Sequence, residues 1–174
     1  MTTPPPISRI FDLSTLSDAG AEVTIVATEE QRRQLAQWAG VAAVDHFEAL
    51  VRLERRSANR FDYEADLQAD LVQSCVVTLE PVASPLRVEV SRALHLSKYP
   101  AKAKLSADEL SPTADDGPEE IHDSRYDLAG PLLEEFVLAI EPYPRAAGVA
   151  FEPPEERELA ESPFAVLKAI KSGN

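Results

Sequence analysis

The chain has 174 residues, 44% of them hydrophobic and 27% charged, with a formal net charge of −13. That is enough for one domain, residues 1–174, with a real core, and it argues against a general coat on DNA or RNA, which needs a basic surface. One cysteine excludes an internal disulfide, no apolar run approaches the length of a bilayer span, and the first residues, MTTPPPISRIF, lack a basic region followed by an apolar one; the expectation is a cytoplasmic monomer.

Residues 1–6 read as a proline-rich tether, and Ile7 to Leu13 as a weakly alternating first strand. Ala21 to Ala27 is a clearer strand, with Val23, Ile25 and Val26 among polar neighbours. Thr28 and Gln31 have the spacing of a capping box, Glu29 and Glu30 suit the positive end of a helix, and Gly40 stops it. Leu35, Trp38 and Ala39 are the expected buried side of that helix, with the single tryptophan as a core anchor.

Val44 to Arg55 alternates, and its more apolar half, which includes Phe47, Ala49, Val51 and Leu53, should face the core. Ser57, Ala58 and Asn59 mark a turn. Phe61 to Leu79 follows as a long strand with an expected change of phase near Leu71 and Val72, a continuous apolar end from Cys75 to Leu79, and a stop at Pro81. Leu86 to Leu96 alternates again. Sequential strands with short turns predict an antiparallel meander.

Residues 99–120 hold three prolines and few large apolar side chains and read as a mobile loop, first basic through Lys102 and Lys104, then acidic. The run from Tyr126 to Gly148 contains the most apolar helix. Leu128, Leu132, Phe136 and Ile140 recur every four residues, with Leu133 and Val137 beside them. Its start is either Asp127 as cap or Gly130 followed by Pro131, and Pro142 and Pro144 end it. A short amphipathic segment with Phe164, Leu167 and Ile170 closes the chain, either docked on the surface or held for a partner. The fold class expected is α+β: an antiparallel, strongly bent sheet, up to partial closure, covered by two or three helices.

Arg52, Arg55, Arg56 and Arg60 cluster around one expected hairpin turn, next to Phe61 and Tyr63. Arginine forks beside aromatic rings grip phosphates and stack on unpaired bases, so these six residues are the candidates for RNA contact; the competing reading is a solvated turn partly neutralised by Glu54 and Asp62. Residues 1–110 carry 12 Lys+Arg against 16 Asp+Glu and residues 111–174 carry 5 against 14. The acidic end of the chain is therefore the expected place for a basic protein partner. No nucleophile–base or phosphate-loop pattern stands out, which favours a non-enzymatic role without cofactor.

Three stretches in order carry a family resemblance. They are Cys75-Val76-Val77-Thr78-Leu79-Glu80-Pro81-Val82; Asp127-Leu128 with Glu134 and Pro142-Tyr143-Pro144-Arg145; and Ser162-Pro163-Phe164-Ala165-Val166-Leu167. Together they resemble the YceD family of large ribosomal RNA subunit accumulation proteins, in its alphaproteobacterial-like branch, over roughly residues 8–171. The resemblance implies a role in accumulation of the large-subunit (23S) ribosomal RNA, acting on that RNA or on a ribosomal protein, with no known catalytic activity. Many YceD-like sequences carry a second cysteine where this chain has Thr78, and further cysteines after the helix. With only Cys75 and the scattered His46, His95 and His122, no zinc site is expected here.

Overall fold

The computed structural model describes residues 5–97 and 117–150. Most of the tether, nearly all of the expected loop at 99–120 and the C-terminal amphipathic segment lie outside them. Among the described residues, seven strands and two helices run in the order β1 (Ile10–Asp12), β2 (Ala21–Val26), α1 (Glu29–Ala39), β3 (Ala43–Arg55), β4 (Arg60–Ser74), β5 (Pro81–Leu96), β6 (Glu119–Ile121), β7 (Arg125–Asp127) and α2 (Ala129–Ala139). A 3-10 turn, Leu13–Thr15, follows β1.

The architecture is α+β. Five strands form one sheet in the order β2-β3-β4-β5-β6, antiparallel except for the β5–β6 pair, and β1 and β7 form a separate antiparallel pair. The sheet is open, with β2 and β6 at its edges. The meander β3-β4-β5 is its body. Its register puts Ala49 opposite Leu67 and Leu67 opposite Val88, so one set of alternate residues shares the inner face. Phe47, Val51, Leu53, Phe61, Tyr63 and Leu94 on that face are at most 1% exposed.

Both helices lie on the inner face. In α1 the capping box forms as expected: Thr28 Oγ1 accepts from the Gln31 N–H (3.3 Å), Gln31 Oε1 accepts from the Thr28 N–H (2.9 Å), and Gly40 ends the helix at φ 70°. Trp38 departs from expectation. It is 39% exposed, and Ala36 takes its place beside Leu35 in the core. Small side chains at Ala36 and Ala39 let the helix sit close to the sheet, which leaves an indole at the margin. In α2, Leu132 and Phe136 are fully buried, and the Phe136 ring meets Phe47 edge-on at 5.4 Å. Pro131 falls in the first turn, as expected. Leu128 holds the cap position, while Asp127 Oδ1 accepts from the Ala129 N–H (3.0 Å) and from the Arg9 N–H (2.7 Å), tying β7 to the N-terminal segment. Val137, expected on the apolar face, is 40% exposed.

Four further expectations are corrected. The first strand is only Ile10–Asp12. Burial alternates without a break along β4 as far as Gln73, and the irregularity foreseen near Leu71 lies instead on the facing strand, between Val44 and His46. Cys75 to Glu80 is the β4–β5 turn, because the ladder already closes at the Ser74–Pro81 pair. A run of β-branched and apolar residues resembles a strand in isolation, but two of its N–H groups are spent within the turn, Cys75 N–H on Glu80 O and Leu79 N–H on Cys75 O. Pro81 begins β5, at the sheet's margin, where a missing N–H is tolerated. Within the expected loop, Glu119–Ile121 is the parallel strand β6, anchored by the buried Ile121.

Candidate functional site

Two loop regions and one sheet face are the places where this fold could meet a partner. The first is the β3–β4 turn, which carries the arginines. Arg55 turns under it: its guanidinium donates to the carbonyls of Leu16 (2.6 Å), Leu13 (3.2 Å) and Ser14 (3.4 Å) and lies over the Phe61 ring at 5.4 Å. Arg56 is paired with Asp62 and Glu54, and Arg52 with Asp66 (2.8 Å) and Glu22 (3.4 Å). Arg60 is exposed and has no ion-pair partner among the described residues. Phe61 and Tyr63 are inner-face core residues, and the Tyr63 hydroxyl donates to Leu128 O (2.8 Å). Desolvation there raises the Tyr63 pKa. Rings buried in this way do not present a face to a base. Of the six RNA candidates, the fold leaves Arg52, Arg56 and Arg60 at the surface, the first two held in ion pairs.

The second region is the opposite end of the meander, about 45 Å away along β4 at ~3.3 Å per residue. Here two stretches remote in sequence meet. The Val76 N–H donates to Pro144 O (2.9 Å), the Ala146 N–H to Cys75 Sγ (3.4 Å) and Gln73 Nε2 to Glu141 O (2.8 Å). The Thr78 N–H also points at Sγ (3.5 Å). Contact with Thr78, then with the Ala146 N–H, holds the Cys75 thiol well below its usual range, at about 6. Pro144 is buried; Pro142, Tyr143 and Arg145 are exposed, and Tyr143 N–H is held by Glu141 Oε1 (3.1 Å). Leu79 stands at the tip with φ 64° and is 78% exposed. Glu134 lies 3.9 Å from Arg92, whose closer partner is Glu135 (2.6 Å). No group of three or more His, Cys, Asp or Glu able to hold a metal occurs among the described residues. His46 faces Glu48, and His95 pairs with Asn59.

The third place was not foreseen. The outer face of the sheet is acidic. On β4 it presents Asp62, Glu64, Asp66 and Asp70, on β3 Glu48 and Glu54, and Glu22 and Glu89 flank them on β2 and β5. The arginines at outer positions are Arg52, Arg60 and Arg87. The signal was present in the sequence as the polar half of the β3 and β4 alternation. Only the register, which stacks those halves side by side, turns it into a surface.

No protein-family model, no curated protein and no solved structure matches this chain.

Proposed function

We propose that this protein is a non-enzymatic ribosome-biogenesis factor of the YceD type, which supports accumulation of large-subunit ribosomal RNA by holding a basic ribosomal protein. The observation that carries the reading is the meeting of the Cys75–Glu80 turn with the Glu141–Ala146 loop, joined by two hydrogen bonds and by a third from Gln73 at the end of β4. Stretches that resemble a family signature gain weight when they build one structural unit. A protein-mediated mode is favoured over direct RNA grip because Arg55 is committed to backbone carbonyls, Arg52 and Arg56 are ion-paired, and Phe61 and Tyr63 are buried.

The test has two parts. Deleting the gene should lower large-subunit relative to small-subunit ribosomal RNA; an unchanged ratio sinks the ribosomal role. Tagged protein should capture a basic ribosomal protein before and after ribonuclease treatment. Capture abolished by ribonuclease would return the role to direct RNA binding. A second reading, an acidic protein-interaction module with no ribosomal role, is favoured by the acidic outer face alone, and it predicts ribonuclease-resistant capture of a non-ribosomal protein.

A further inference from the structure

We infer that the outer face of the five-stranded sheet is a docking surface for an extended, lysine- and arginine-rich segment of a partner protein. The inference rests on the protein-mediated form of the function proposed above.

Among the described residues, no element covers this face: α1, α2 and the β1–β7 pair contribute to the single buried cluster on the other side. The face is also hollow. A depression of about 570 Å³ is lined by Glu48, Leu50, Asp66, Gln68, Arg87 and Glu89. Leu50 gives it an apolar floor, on which the methylene stem of a lysine or arginine can lie while its charged head reaches the rim carboxylates. After internal pairing the face retains charge to spare. Arg52 is consumed by Asp66 and Glu22 and Arg56 by Asp62 and Glu54, whereas Glu64, Asp70 and Glu89 have no ion-pair partner among the described residues and outnumber the unpaired Arg60 and Arg87.

Spacing selects the form of the ligand. The carboxylates that engage no arginine, Glu48, Glu64, Asp70 and Glu89, are spread over three strands, with Glu64 and Asp70 about 20 Å apart along β4. A basic segment in extended conformation reaches several of them in succession, which a compact ligand does not. The spacing is too wide for a single cation, and no metal-binding group forms on the face. Like charge repels RNA. It also opposes a second copy docking through the same face.

The full-length chain should be titrated with a labelled twelve-residue peptide of alternating lysine and serine at low salt. Glu48→Gln combined with Glu89→Gln should weaken binding by about tenfold, since both carboxylates sit on the hollow and neither engages an arginine. Asp18→Asn combined with Glu30→Gln changes the net charge equally away from the face and should shift affinity by less than about twofold. Unchanged melting midpoints verify that both variants fold. Equal losses in the two variants would mean bulk charge attraction, and no loss in the first would mean the hollow is not used; either result overturns the inference. Tighter peptide binding after Lys98, Lys102 and Lys104 are all changed to Gln would assign the face to this chain's own basic stretch, and would also overturn it. An unchanged ribosomal RNA ratio in the deletion strain, with the peptide result intact, sinks the ribosomal role and leaves the docking surface standing.

Discussion

Arg55 ends β3 beside the hairpin turn and yet behaves as a structural residue, because its guanidinium replaces water on the carbonyls of Leu13, Ser14 and Leu16. Arg55→Ala leaves the Leu16 carbonyl without its guanidinium partner and should lower stability by about 2 kcal/mol, whereas Arg56→Ala, which loses only surface pairs, should cost under about 0.5 kcal/mol. Urea unfolding of both variants measures the difference, and equal midpoints would refute it. An RNA test at this turn is therefore best made with Arg56 and Arg60 alone. Cys75 gives the second residue-scale prediction. Its folded pKa of about 6 lies below its ordinary value of 9.0. The stabilisation from its thiolate is therefore complete above about pH 9 and is lost as pH falls through about 6. Compared with Cys75→Ser, the native chain should gain stability from pH 6 to pH 9; a gap that does not change with pH would show that the two N–H groups aimed at Sγ do not favour the thiolate.

At the level of elements, α2 is the lid of the inner face. Phe136→Ala opens a cavity against Phe47 and should cost about 3–5 kcal/mol, and Leu132→Asp, burying a charge without a partner, should abolish cooperative melting. A normal melt for both would make this helix face a binding surface. How far the elements were legible in advance follows from what each depends on. The α1 capping box, the Ser57–Asn59 turn and the inward half of β3, β4 and β5 rest on local spacing, and the sequence displays them directly. Trp38 was misjudged because helical phase alone does not say how close a helix approaches its sheet. Cys75 to Leu79 was misread because a turn that docks on another loop can carry strand-like residues, Val76 and Leu79 among them. The Arg55 contacts and the junction of Cys75 with Ala146 join residues 39 and more apart, and no pattern within a window reveals them.

The whole molecule carries its charge asymmetrically, with an apolar face roofed by helices and an acidic face uncovered by any described element. Self-repulsion across that outer face should make the protein more stable in salt: raising ionic strength from about 0.02 M to about 0.3 M shortens the screening length from roughly 20 Å to below 6 Å, and the melting temperature should rise by a few degrees. Glu64→Gln should raise it at low salt and lose that advantage at high salt; a melting temperature that falls with salt would mean that the ion pairs outweigh the repulsion. The pairing of β1 with β7 has a further consequence, in time. Phe11 waits for Tyr126, and the inner face waits for Phe136, while β2 through β5 are complete by residue 96. During synthesis the meander can assemble from neighbours long before its lid exists. For the interval between, Phe47, Phe61 and Tyr63 face water, and a chain truncated ahead of α2 is left as a half-covered sheet, marked for chaperones and proteases.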